Sequence, residues 1–520
     1  MSGTPEEKDK WAPFGRPIFD DPAARALARV GVIDIGSNSV RMVVFDGAAR
    51  SPAYFFNEKV MAGLGAGMNE TGRLNPRGKD RAMAAIRRFV ALAEGMGIMP
   101  LTAVATAAMR VAEDGPEFKA DVERETGQKI HVIDGDEEAR LSAQGVLLGW
   151  PEGEGLVCDI GGSSMELARI ESSRVWERAT SPLGPLRLQG LGGGQKARAK
   201  EIKQVIADLA GKIERHDRLY LVGGSWRAIA RLDMLRHDYP LLVLQDYRMT
   251  PKSVRDTLDW IADQDLEALR LRASLSSARI SLVPLAGEVL RRLMSSFRIH
   301  EIVTSGYGIR EGLLYEQMPH RIRSRDPLIE AARYAEYSSS RLPGFGRTLF
   351  DFISPLFHVP PTQMRWIKAA CLLHDVNWRA HPDYRAEVGF DYAIRGNIGG
   401  IDHRGRIFLG LALSHRYRNA RPGDRFAPLL ELLDERLMHE AEVLGKAMRF
   451  GAMFSFANPE RMGTLKYRPK MKILELQLLP EAEPLYGEVA EARLAALATT
   501  LGAETIVTMT NHGSTSQRLG

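Results

Sequence analysis

Hydrophobic positions along the chain change period repeatedly, and each change marks an element. Two short phrases stand out. Val32-Ile33-Asp34-Ile35 runs into Gly36-Ser37-Asn38-Ser39 and then a second apolar run over 40–45; Val157-Cys158-Asp159-Ile160 runs into Gly161-Gly162-Ser163-Ser164 and a second run over 165–170. β-Branched runs flanking a break of small residues predict a hairpin at each place. Met83, Ile86, Phe89, Val90 and Ala93 share one helical face and predict a helix over 78–95. Strands are expected over 101–105 and 129–133, with Gly135-Asp136 capping a helix over 137–148. After the second hairpin, helices over 197–214, 226–235 and 309–317 alternate with strands over 219–222 and 302–304. Strands followed by helices in this order predict layered α/β lobes.

The pattern then shifts. The charge run His320-Arg321-Ile322-Arg323-Ser324-Arg325 reads as a linker, and from 326 to about 457 the periodicity is helical, as over 328–337, 347–356, 364–374 and 408–415. Residues 471–478 alternate like a strand, 488–501 read as a helix and 504–510 as a strand. The expected organisation is a flexible tail over 1–28, a first lobe over 29–148, a second over 149–320, a helical domain over 321–460 and a small α+β unit over 461–520. A chain of 520 residues is too long for one core, and 44% hydrophobic residues suit a soluble globular protein. A formal net charge of +5 permits a polyanionic partner without demanding one. The two cysteines, Cys158 and Cys371, sit in apolar runs and read as buried reduced thiols. No apolar secretory core and no membrane-length apolar run occur, so a cytoplasmic protein without a membrane partner is expected.

The hairpin tips suggest chemistry. Each offers unpaired N–H groups, hydroxyls and one carboxylate, a set suited to a phosphate oxygen and a bound Mg²⁺. A single copy would read as a surface turn; two copies with Asp34 and Asp159 in register predict a two-lobed phosphate site. Gly223-Gly224-Ser225 and Ser305-Gly306 make two further strand-turn-helix junctions, which suit phosphate but are also common structural turns.

Six motifs occur in order: Asp34 to Arg41, Ala105 to Arg110, Gly135 to Arg140, Asp159 to Glu166, Gly184 to Leu188, and Ser305 to Gly312. On these the chain resembles the exopolyphosphatase / guanosine pentaphosphate phosphohydrolase family of the actin-like, sugar-kinase-like ATPase superfamily. Beyond 325 it is similar to the degenerate HD-type domain of longer members. It departs from the family at Ser163, where a third glycine is usual, and at Met165, where Thr is common. The resemblance implies two actin-like lobes, a helical HD-like domain and a small α+β terminal unit. It implies release of terminal orthophosphate from inorganic polyphosphate by water, with Mg²⁺ or another divalent cation such as Mn²⁺, in a homodimer with no specific nucleic-acid partner. Guanosine pentaphosphate is the alternative substrate; the extra C-terminal domains favour long polymers.

In that reading Glu138 aligns and deprotonates the water, and its place in the first helical turn should favour the ionised form. Asp159 and Glu166 are candidate Mg²⁺ ligands, with Asp34 a third. Ser37, Asn38, Ser39, Gly161, Gly162, Ser163 and Ser164 cradle phosphate oxygens, while Arg41, Arg110 and, from the second lobe, Arg279 contact them as guanidinium forks. Arg140 and Arg310 read as structural ion-pair partners and Trp226 as core. His374-Asp375 lacks the earlier His that a metal site of the HD type needs, so a packing scaffold is expected there. Arg404, Arg406, Arg416, Arg418, Arg421 and Arg425 form either a track for a long polyanion or a face balanced by nearby acids. A sugar-kinase-like transferase is disfavoured for want of an adenosine pocket, and a non-catalytic sensor by the presence of Glu138, Asp159 and Glu166 together.

Overall fold

The structure is a computed structural model that describes residues 29–46, 50–98 and 101–510, so the tail expected over 1–28 lies outside the described residues. The chain forms two compact units, Met1–Pro327 and Leu328–Gly520. Strands, and helices of eight residues or more, are numbered in chain order.

The first unit holds two sheets. One contains β1 (Val30–Ile35), β2 (Val40–Phe45), β3 (Tyr54–Val60), β4 (Leu101–Ala105) and β5 (Ile130–Val132), in the order β3-β2-β1-β4-β5. The other contains β6 (Gly155–Ile160), β7 (Met165–Glu171), β8 (Arg174–Ser181), β9 (Arg218–Gly223), β10 (Tyr247–Met249) and β11 (Glu301–Thr304), in the order β10-β11-β9-β6-β7-β8. Setting β8-β7-β6-β9-β11 against β3-β2-β1-β4-β5 gives the same pairing sense at every step: antiparallel, antiparallel, parallel, parallel. The two hairpin phrases are therefore the visible part of a duplicated lobe, with β10 added antiparallel at one edge.

Central strands are buried on both faces and so appear as continuous apolar runs; β1 and β6 each leave only their Asp partly exposed. Around the sheets lie α1 (Pro76–Gly95), α2 (Gly115–Thr126), α3 (Gly135–Gly149), α4 (Gly194–Ala210), α5 (Gly224–Arg236), α6 (Pro251–Ala262), α7 (Val283–Phe297) and α8 (Ile309–Glu316). In α1, Asn75 caps the first turn by accepting from Gly78 N at 2.9 Å, Pro76 opens it, and Ala82, Ala85, Ile86, Phe89 and Ala93 form the buried stripe. Asp134, rather than Gly135-Asp136, caps α3 by accepting from Glu137 N at 2.7 Å.

α3 and α8 join the lobes. Val32, Val43 and Val104 of one sheet, Val157, Val222 and Val303 of the other, and Leu141, Leu147, Leu313 and Leu314 of the two helices make one apolar cluster. The helices touch through glycines: a Cβ on Gly145 would lie 2.2 Å from Gly308 O, and one on Gly312 would lie 1.8 Å from Leu141 O. At the far end of α3, Arg50 donates to the carbonyls of Leu147 and Leu148 and, at 3.1 Å, to that of Arg323. The run 320–325 is thus an ordered part of the first unit and not a linker: Ile322 is buried, and the Arg323 guanidinium donates to the carbonyls of Met318 and Glu316.

The second unit carries α9 (Pro327–Ser339), α10 (Phe345–Ile353), α11 (Pro361–Leu373), α12 (Arg385–Arg395), α13 (His403–His415), α14 (Glu435–Phe454) and α15 (Glu488–Leu501). Its sheet has β13 (Ile473–Leu478) between antiparallel β12 (Gly463–Arg468) and parallel β14 (Glu504–Met509). β12, absent from the sequence reading, buries Gly463 and Leu465 in alternation with exposed Thr464 and Lys466. Among the described residues no helix is long and apolar enough to cross a membrane. Cys158 and Cys371 are buried free thiols.

The helix crossing can be tested directly. Gly312→Ala forces a methyl group into the Leu141 carbonyl and should destabilise the first unit by about 2 kcal/mol, read as a lower urea midpoint than wild type.

Candidate active site

The two hairpin turns are closed by equivalent bonds, Gly36 N to Ser39 O and Gly161 N to Ser164 O, both 3.0 Å. The tips meet: Ser163 Oγ lies 3.2 Å from Ser37 Oγ. The serine that departs from a triple-glycine turn therefore makes the cross-lobe contact. Beside this junction is a cleft of about 250 Å³. Its wall includes Asp34, Ser37, Asn38, Ser39 and Arg41 from one lobe, Asp159, Gly161, Gly162 and Ser164 from the other, and Glu138 and Arg279.

Three expected residues stand behind that wall. Arg110 donates to Ile133 O at 2.7 Å and to Glu138 Oε2 at 3.3 Å, so it steadies Glu138. Ser163 is turned toward Ser37. Glu166 is fully buried in β7, with Oε1 accepting from Thr180 Oγ1 at 3.1 Å and Oε2 left without a hydrogen-bond partner. At one matched position the duplicated lobes carry opposite charge: Asp34 faces Arg41 across its hairpin, and Asp159 faces Glu166.

The acids crowd one another. Burial raises Asp34 and Asp159 above the usual carboxylate range, each by more than the neighbouring guanidinium groups lower it, and Ser142 donates to Asp159. Glu138 is pushed up to about 8 by burial first and then by Asp159, against the pull of Arg110. Placement in a first helical turn therefore does not keep it ionised, because burial among carboxylates outweighs the helix end.

The cations form a second group. Arg310 lines the cleft with Nη1 3.9 Å from Asp34 Oδ2, so it faces the site and is not merely structural. Arg140, by contrast, bonds Glu137 and Glu316, as expected of a structural pair. Lys59 and Arg227 were not anticipated. Lys59 sits opposite Arg41 on β3 and is pushed down to about 8 by burial and then by Arg279, Arg41, Arg227 and Arg310. Arg227 donates to the carbonyls of Gly223 and Gly306 and is pushed down to about 10 by burial and Arg310. The only sequence signal for Arg227 was its place just after Gly223-Gly224-Ser225; Lys59 lies on an edge strand that the hydrophobic pattern did not reveal. An adjoining cavity of about 690 Å³ is lined, among the described residues, by Arg41, Lys59, Arg227, Arg231, Arg272 and Arg279, with no acid, and by Leu235, Leu242 and Leu244.

Of the two readings left open for the arginines of the second unit, the contacts favour the acid-balanced face. Arg404 pairs with Asp434, Arg421 with Glu435 and Arg425 with Asp391, while buried Arg406 bonds the carbonyls of Gly396 and Ile398. Arg341 holds Asp375 at 2.5 Å, and His374 Nδ1 lies 2.9 Å from Cys371 O. Among the described residues no group of three or more His, Cys, Asp or Glu side chains could hold a metal ion unaided. Mg²⁺, however, takes few carboxylates and completes its shell with water and phosphate oxygens. The cleft offers that mode: Asp34 and Asp159 line it beside Glu138, and both hold their protons more tightly than usual despite the neighbouring guanidinium groups.

Residues 43–321, more than half of the chain, match the Ppx/GppA phosphatase family. The chain belongs to that family. Residues 328–507 match a second family described as exopolyphosphatase, C-terminal. Among curated relatives of this Ppx/GppA protein, a guanosine-5'-triphosphate,3'-diphosphate pyrophosphatase of Aeromonas hydrophila is 27% identical over 365 residues, 66% of this chain and 72% of the relative. Exopolyphosphatase 1 of Mycobacterium tuberculosis is 32% identical over 163 residues, 31% of this chain and 47% of the relative. The crystal structure of an exopolyphosphatase from Cytophaga hutchinsonii superposes with a TM-score of 0.51 and 22% identity, covering 55% of this chain and 97% of that one, a likeness of fold. The Ppx/GppA protein is accordingly an enzyme, a hydrolase of phosphoric anhydrides.

The raised Glu138 carboxyl has a consequence for stability. Unfolded, it ionises near 4.5; folded, it keeps its proton up to about 8. The folded state therefore loses stability as pH rises between those values. Without divalent cation, Glu138→Gln should melt above wild type at pH 8, and the difference should vanish toward pH 4.5; equal melting temperatures at pH 8 would contradict the burial effect.

Proposed function

We propose that this enzyme is an exopolyphosphatase that releases terminal orthophosphate from inorganic polyphosphate, using Mg²⁺ or another divalent cation. One observation carries the reading: the two hairpin tips touch at Ser37 and Ser163 beside Glu138 and Asp159, and the cleft there adjoins a chamber lined, among the described residues, by six cations and no acid. A polyanion with a reacting end and a long remainder fits that division.

The tip amides and the hydroxyls of Ser37, Ser39 and Ser164 hold the terminal phosphoryl group. Asp159 and Asp34 would hold the divalent cation, which supplies positive charge to offset the phosphoryl oxygens. Glu138, steadied by Arg110 and ionised once the surrounding negative charge is offset, orients a water and accepts its proton as the water oxygen bonds to the terminal phosphorus, while the bond from that phosphorus to the bridging oxygen breaks and the shortened chain leaves with the electron pair. Arg41 and Arg310 balance charge on the reacting phosphoryl, and the chamber arginines retain the shortened chain. The second unit serves as a degenerate HD-like scaffold, with Asp375 already engaged by Arg341.

The chamber's leucines favour a second reading, guanosine pentaphosphate 5′-phosphohydrolase, because a bare phosphate chain has no use for Leu235, Leu242 and Leu244 beside its cations. Phosphate release from long polyphosphate and from guanosine pentaphosphate, with and without EDTA, tests both. EDTA should abolish release, and Glu138→Gln should lower it by about 10²- to 10⁴-fold. Arg272→Glu should raise KM for long polyphosphate most; a selective loss on the nucleotide in Leu242→Ala would transfer the assignment to the second substrate. Turnover of neither substrate overturns both readings.

A further inference from the structure

Outside the groups that face the cleft, one buried carboxylate connects the lobes. Glu311, on α8, is wholly inaccessible to solvent. Its Oε2 accepts from Gly308 N at 2.7 Å, which holds the turn into α8. Its Oε1 accepts from Tyr54 Oη at 2.5 Å, and Tyr54 belongs to β3, at the edge of the other lobe's sheet. Both ends of this link lie near cleft cations. The Arg41 guanidinium lies 6.0 Å from the centre of the Tyr54 ring and is turned by a 2.7 Å bond from Nε to Asn57 Oδ1. Arg310 is the neighbour of Glu311 and approaches Asp34 on the first lobe.

A neutral phenol donating to a fully buried carboxylate is a strong, directional bond. Although 37% of Tyr54 is exposed, desolvation at its hydroxyl and then the Glu311 charge hold the Tyr54 proton above its ordinary range. We propose that Tyr54 and Glu311 form an interlobe clasp that positions Arg41 and Arg310 on either side of Asp34. Neither residue touches the reacting atoms; both act through the two arginines. The inference rests on the hydrolase reading of the cleft for its kinetic consequence and on the geometry alone for its structural one.

The clasp is tested by Tyr54→Phe, which removes one oxygen, by Glu311→Gln, and by the double variant. Each single change should lower kcat/KM on polyphosphate by about 10- to 100-fold, with the melting temperature of Tyr54→Phe held within a few degrees of wild type. The double variant should lose no more than the worse single one, since both remove the same bond. A second readout needs no turnover. With spin labels at Glu94→Cys on α1 and Lys203→Cys on α4, electron–electron dipolar spectroscopy should give a broader interlobe distance distribution in Tyr54→Phe. Should Glu311→Gln fail to fold, Tyr54→Phe decides alone. An unchanged distribution, or single effects that multiply in the double variant, overturns the clasp. A wild-type protein inactive on every phosphoanhydride overturns the functional reading instead, and the distance distribution still decides the clasp.

Discussion

Asp34, Glu138 and Asp159 share one cleft where the two sheets meet, and the charges of Asp34 and Asp159 make ionisation of Glu138 less favourable. Enclosing several carboxylates in one cleft is unfavourable unless positive charge joins them. The surrounding design follows from that constraint. Arg310 approaches Asp34, Arg110 bonds Glu138 and Ser142 donates to Asp159, yet the three acids still hold protons more tightly than acids in water. Across the same cleft, Lys59 and Arg227 are crowded by like charge and hold their protons less tightly. The site thus keeps acid and base sets side by side without neutralising either, a condition suited to a multiply charged anion arriving with a cation.

The fold makes this arrangement by repetition. Two lobes with the same strand order bring two equivalent turns to one point, and α3 and α8 fix their spacing through direct backbone contact at Gly145 and Gly312. One helix meets the cleft with its first turn, which carries Glu138, while its last turn is fastened by Arg50. Repetition gives matched scaffolding; the exchange of Arg41 for Glu166 at the equivalent register position gives the lobes different charge.

The hairpins and their aspartates were legible in the sequence because central strands are apolar throughout and break sharply at small residues. The helical character of the second unit was legible from its period. Edge strands were not: β3 reads Tyr-Phe-Phe-Asn-Glu-Lys-Val, a mixture whose partner and buried side are set only by the neighbouring strand, and with it Lys59 and Tyr54 went unseen. The ionisation of Glu138 was misread because a helix position is local information, whereas burial beside Asp159 is not. For the arginines of the second unit one dimension left a track and a balanced face equally open; in three, Asp434, Glu435 and Asp391 lie beside them. The run 320–325 misled for the same reason, since the groups that bind Arg323 are backbone carbonyls that composition does not record.

The Ser37–Ser163 contact carries one more implication. Ser163 Oγ donates to Ser37 Oγ, so an anion reaching that spot competes with one weak bond between neutral groups. An oxyanion wins that exchange readily, because hydroxyls donate more strongly to charged oxygen than to one another. An uncharged ester of similar shape gains little from it. A seam of hydroxyls between the halves is thus a better donor set for a charged oxygen than for a neutral one.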